Sequence, residues 1–96
     1  MTIYISLGNL QRAAFETFDT IADRDRKAKQ IIESLGGKII ALYYTFGQYD
    51  FVVIVDMPSK ESLVKWLSIL AKHGTVRTET LETISSDMLY KIAKEI

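Results

Sequence analysis

Residues 36–57 read GGKIIALYYTFGQYDFVVIVDM, and this stretch decides the fold. Gly36 and Gly37 follow a helical period, where a left-handed C-terminal cap favours a residue without Cβ. Residues 38–46 and 49–56 are rich in β-branched and aromatic side chains, with Gly47 and Gln48 between them. A Gly-X pair suits the type II′ turn of a two-residue hairpin, because glycine accepts the positive φ of the first turn position. That turn sets a register: Phe46 opposite Tyr49, Thr45 opposite Asp50, Tyr44 opposite Phe51 and Tyr43 opposite Val52. One face then carries Ile40, Leu42, Tyr44, Phe46, Tyr49, Phe51, Val53 and Val55, the heavier apolar set, which we assign to the helices. The other carries Ile39, Ala41, Tyr43, Thr45, Asp50, Val52, Ile54 and Asp56. A sheet that met water there would show a clean polar set, and this one does not.

On the N-terminal side, residues 2–8 alternate as a half-buried strand, with Ile3, Ile5 and Leu7 on one face and Tyr4 and Ser6 on the other. Leu10, Ala14 and Phe18 recur at helical spacing, so residues 9–20 form a short helix or an ordered loop. From about Asp23 to Leu35 the period is helical, with Ala28, Ile31, Ile32 and Leu35 on one stripe. The alternating charges Asp23, Arg24, Asp25, Arg26, Lys27 and Lys29 read as its solvated face. On the C-terminal side, Pro58 ends the second hairpin strand and Ser59 caps a helix at 60–73, whose face is Leu63, Trp66, Leu67 and Leu70. Gly74 closes it. Residues 75–84 form a strand, and a helix at about 86–95 carries Met88, Leu89, Ile92 and Ala93.

The order is β-α-β-β-α-β with an added terminal helix: an α+β, ferredoxin-like arrangement with a four-stranded antiparallel sheet. Both main helices fall on one face of that sheet. Ile39, Ala41, Tyr43, Val52 and Ile54 then make an apolar patch on the other face, of a kind that marks an interaction surface. Covering roughly 600 Å² of it at about 25 cal/mol per Å² contributes on the order of 15 kcal/mol gross. Pairing of two sheets in a homodimer is the economical cover, since two-fold assemblies are the commonest. The alternative is that helix 86–95 or segment 9–20 crosses this face within one chain.

Ninety-six residues make a single domain over 1–96, with a core at about 2–84. Twelve basic and twelve acidic side chains cancel, which argues against nucleic acid or an anionic membrane as partner. The absence of cysteine removes disulfides, thiolate metal sites and cysteine nucleophiles, and one histidine cannot build a multi-imidazole zinc site. No stretch approaches the ~20 apolar residues of a membrane span, and no signal-peptide pattern opens the chain. We therefore expect a cytoplasmic protein without metal or cofactor.

Segment 36–57 and the later 74–81 (GTVRTETL) resemble the GYD domain family, named for a Gly-Tyr-Asp signature. The signature here is Gly47, Tyr49 and Asp50, with Gln48 interposed, and the similarity covers about residues 2–84. The resemblance implies a ferredoxin-like fold that pairs into a dimeric α/β barrel. The family has no established biochemical activity, so the resemblance supplies no mechanism.

Individual side chains leave paired readings open. Asp50 is a carboxylate that either accepts a proton inside a dimer cavity or fixes the hairpin through Thr45 or turn backbone. Tyr49 falls by register on the helix side, where it either packs with its hydroxyl hydrogen-bonded or contacts a ligand directly. Tyr4 and Tyr43 project together from the second face, lining a cavity or an interface. His73 is either an acid–base group or axial metal ligand or, with Lys72, a positive charge complementing the helix dipole. Arg77 and Glu79 share a face of the last strand, where they pair, hold an anion or lie solvated. Asp50 and His73 are thus the catalytic candidates, and Tyr4, Tyr43, Asp50, Arg77 and Glu79 the ligand-binding ones. No metal ligands are identified. The function expected is a homo-oligomeric module that binds a small ligand or serves as an assembly platform. The alternative is a small dimeric-barrel enzyme resembling cofactor-free monooxygenases or haem-handling proteins.

Overall fold

The chain alternates strand and helix as its periodicity dictates, and the structure, a computed structural model, describes residues 2–96. The order is β1 (Thr2–Leu10), α1 (Arg12–Glu16), a 3-10 turn (Phe18–Thr20), α2 (Ile21–Ser34), β2 (Lys38–Tyr44), β3 (Phe51–Met57), α3 (Lys60–His73), β4 (Val76–Glu82) and α4 (Ser86–Glu95). The four strands form one sheet in the order β2-β3-β1-β4, every neighbour antiparallel. This is the ferredoxin-like fold with a helix added at the end.

Local chemistry sets the element ends. Beyond α2, Gly36 adopts φ 84°, its N–H reaches the Glu33 carbonyl at 3.0 Å, and the Gly37 N–H reaches Ile32 at 3.0 Å. Two orphan carbonyls of the last turn are thereby satisfied. Ser59 starts α3 by accepting the Ser62 N–H at 3.1 Å, and Ser85 starts α4 by accepting the Met88 N–H at 3.0 Å. Each such cap is worth about 1 kcal/mol.

The core lies between the sheet and helices α2 and α3. Phe51, Val53, Val55 and Met57 of β3 alternate inward against Ile32, Leu63 and Trp66. Because Tyr4 pairs with Val55, it shares that inward face and is only 3% exposed. The expectation that Tyr4 joins Tyr43 on the second face is therefore corrected. Alternation fixes which residues of β1 go together, and only pairing with β3 fixes where they point. Ser6 follows Tyr4 inward and shares a 3.2 Å hydrogen bond with Thr80.

Two details of the hairpin also differ from expectation. The register holds at Tyr43–Val52 and Tyr44–Phe51, but the ladder shifts between Ile39 and Ala41. This β-bulge leaves Ile40 unpaired and 48% exposed, while Ile39 turns to pack on the core, reversing the expected assignment of both. The strands also stop short of a two-residue turn. Residues 45–50 form a six-residue loop, closed by Thr45 N–H donating to the Asp50 carbonyl at 2.8 Å.

Neither segment proposed as an intrachain cover crosses the second face. Segment 12–20 leans on α2 instead, where the Arg24 guanidinium donates to the carbonyls of Ala14 at 3.0 Å and Thr17 at 3.4 Å. Helix α4 has no buried side chain, and Met88, Leu89, Tyr90 and Ile92 are 40–61% exposed. The molecule measures 52 × 31 × 18 Å.

Candidate functional site

The loop between β2 and β3 is held to the rest of the sheet by a set of short hydrogen bonds. Asp50 donates its N–H to the Gly8 carbonyl at 2.8 Å, and its carboxylate Oδ2 accepts the Leu10 N–H at 2.8 Å. Asn9 donates from Nδ2 to the Gln48 carbonyl at 2.9 Å, and Thr45 Oγ1 donates to the Tyr49 carbonyl at 2.7 Å. Tyr49 reaches across β1, its phenol donating to Glu79 Oε2 of β4 at 2.6 Å. The Glu79 carboxylate holds the phenolic proton and raises the Tyr49 pKa above its ordinary value. Gly47 sits at φ 141°, a conformation that residues with a Cβ rarely adopt. The loop, β1 and β4 are thus tied at one end of the sheet.

This geometry gives Asp50 a backbone partner on β1 where Thr45 or turn backbone was expected. Tyr49 has the hydrogen-bonded hydroxyl expected of it, but the bond goes to a residue of the second face and not to the helix side, because the open loop frees it from the strand alternation. Glu79 and Arg77 lie exposed on the second face, opposite Leu7 and Asn9. Tyr43 is on the same face, paired with Val52 and 62% exposed. His73 is exposed in the last turn of α3 beside Lys72 and enters no hydrogen bond or ion pair among the described residues. The structure brings Tyr49, Asp50 and Glu79 together around the end of β1. Tyr4 is in the core, and neither it nor His73 is bonded to that group.

The second face itself carries Ile3, Ile5 and Leu7 of β1, Val52 and Ile54 of β3, Ala41 and Tyr43 of β2, and Leu81 of β4. The register supplies Ile3, Ile5, Leu7 and Leu81 in place of Ile39, so the patch runs across all four strands.

On the helix side, a cavity of about 120 Å³ opens between α2, α3 and the sheet. Its walls include Ile32, Leu42, Phe51, Val53 and Leu70, and polar groups enter from Arg24, Asp25, Tyr44 and Trp66. Tyr44 donates its phenol to Asp25 Oδ2 at 2.7 Å. Burial, and then that hydrogen bond to a carboxylate, raise the Tyr44 pKa well above its usual value. Arg24 and Asp25 were expected on the solvated face of α2, but both are half-buried. The signal was present: Ile21, Asp25, Ala28, Ile32 and Leu35 follow one another at spacings of three or four, and Arg24 lies three after Ile21 and four before Ala28.

The family profile of the GYD domain matches residues 4–93. The chain is a member of the GYD domain family. A protein from Thermus thermophilus named glutamine synthetase and cystathionine beta-lyase binding protein is 32% identical over 85 residues, which are 88% of this GYD domain chain and 90% of that protein. Among solved structures, ribosomal protein S6 of Thermotoga maritima superposes with a TM-score of 0.57 at 19% identity, covering 98% of this chain and 96% of that one. A mutant of MhuD with two manganese protoporphyrin IX bound per active site gives a TM-score of 0.52 at 14% identity, covering 90% and 95%. Likeness at that level is one of fold. Among the described residues of the GYD domain, no helix is long and apolar enough to cross a membrane.

Proposed function

We propose that this GYD domain is a non-enzymatic assembly module, in which two copies pair sheet to sheet and the paired body binds a partner protein. The observation that carries this reading is the second face: Ile3, Ile5, Leu7, Tyr43, Val52 and Ile54 lie together, and among the described residues no segment crosses them. An uncovered apolar sheet face is a costly surface for a lone subunit, and an isologous two-fold contact removes it from water on both copies at once. The relative named for binding two enzymes supports a partner of that kind, an enzyme docking on a non-catalytic domain. Exposed apolar residues of α4 give the pair a second surface for it. A cytoplasmic location agrees with the cysteine-free composition.

The catalytic reading finds less support, because Asp50 is spent on the Leu10 N–H and His73 has no bonded partner. Analytical ultracentrifugation of the full chain at micromolar concentration tests the proposal. Dimers or larger closed assemblies are expected, and Ile54→Lys should return them to monomers. A wild-type monomer throughout that range would overturn it.

A further inference from the structure

We infer that the cavity between α2, α3 and the sheet is a binding site for a small monocarboxylic acid bearing one ring or a short branched chain. All the lining residues belong to one chain, so the inference does not rest on pairing of the open faces.

Three features of the cavity lead there. The first is size. About 120 Å³ is close to the ~150 Å³ of an engineered apolar cavity that takes a benzene ring, and exceeds what one or two waters fill. The second is the donor set. Trp66 is 3% exposed, yet its indole N–H has no acceptor among the described residues, and the Arg24 Nε–H is buried without one as well. Buried N–H groups left unbonded are costly, each by about 1–3 kcal/mol, and both belong to residues that line one cavity, which favours a guest bringing an acceptor.

The third feature is charge. Arg24 enters none of the ion pairs among the described residues; its guanidinium donates only to the carbonyls of Ala14 and Thr17. The carboxylate beside it, Asp25, already accepts the Tyr44 hydroxyl. With Asp25 engaged by Tyr44, Arg24 is the cation of this wall left to meet an anionic oxygen, which favours an anionic guest over a neutral one. The remaining wall, with Ile32, Leu42, Phe51, Val53 and Leu70, receives the apolar body and excludes larger polar metabolites.

Trp66 is the only tryptophan in the chain, so its fluorescence reports on this cavity alone. Titration of the full-length protein with benzoate, phenylacetate and isovalerate should give a saturable change with a Kd of roughly 0.1–10 mM for at least one. The Trp66 indole N–H resonance should shift in the same titration. Benzyl alcohol, the neutral counterpart, should bind about tenfold more weakly. Arg24→Gln should weaken the acid about tenfold and leave the alcohol unchanged. Ala28→Leu, which narrows the cavity, should weaken both, and circular dichroism checks that each variant is folded. The monomeric Ile54→Lys protein should bind as the wild type does. Absence of any saturable response up to ~50 mM would overturn the inference. Equal binding of acid and alcohol, or an acid affinity unmoved by Arg24→Gln, would equally overturn the inference.

Discussion

The ring of Phe51 occupies the space in which a β-carbon on Gly8 would stand. Gly8 pairs with Phe51 across β1 and β3, and both are buried, so the ring closes over bare backbone. A methyl group at Gly8 must displace the ring from the core. Gly8→Ala should cost about 1–3 kcal/mol in thermal or denaturant unfolding. In a Phe51→Leu background the same change should cost clearly less. Equal losses in the two backgrounds would mean that the ring is not the obstacle.

Asp50 ties the loop to β1 by one charged acceptor. Asp50→Ala should lose about 1.5–3 kcal/mol of stability, the range for a hydrogen bond to a charged group. It should also speed hydrogen exchange of the Leu10 amide, while Asp50→Asn, which keeps an oxygen, loses less. The oligomeric state should not change in either. If exchange at Leu10 is unaffected, the bond is not what holds this end.

Tyr49 and Glu79 offer a titration. The carboxylate raises the phenol's pKa, so tyrosinate at this position should form later in an alkaline titration than at an ordinary tyrosine of about 10. Glu79→Gln should bring it back toward that value. Resolved tyrosine resonances read the two proteins directly.

Tyr44 gives the corresponding pH dependence of stability. Its pKa is higher folded than unfolded, so the stability linked to its proton is fully present below pH ~10 and is lost as pH climbs beyond that. Asp25→Asn should shrink this alkaline loss, and Tyr44→Phe should remove Tyr44's share of it, leaving that of Tyr49. Urea midpoints measured between neutral and strongly alkaline pH check the sign.

Helix α4 contributes no buried side chain, so removing residues 86–96 should leave the thermal midpoint of the body nearly unchanged. Its exposed Met88, Leu89, Tyr90 and Ile92 should matter instead for assembly size or partner capture. A collapse of the fold on truncation would assign α4 to the core.

Much of this fold is legible in the chain because its punctuation is strong. The Gly36-Gly37 stop, the Ser59 cap and the pairing of Tyr43 and Tyr44 with Val52 and Phe51 all follow from local chemistry, and α3 and α4 appear at the limits their periods give. What is not legible depends on non-local pairing. With both faces of the sheet apolar, alternation in β1 does not say whether Tyr4 or Ile5 meets the helices; Val55, fifty-one residues later, decides it. The bulge that exchanges Ile39 and Ile40 has no glycine or proline to announce it. The site was obscured differently. Arg24 and Asp25 were absorbed into a run of charges, and their place on the apolar stripe of α2 is visible only when the helix is seen against Leu42 and Trp66.

The kink that leaves Ile40 unpaired falls on β2, a border strand with one side free of hydrogen-bonded neighbours. A straight, regular border would template endless sideways growth into fibres, and an irregular one interrupts it. The bulge thereby makes this border a poor template for open-ended polymers.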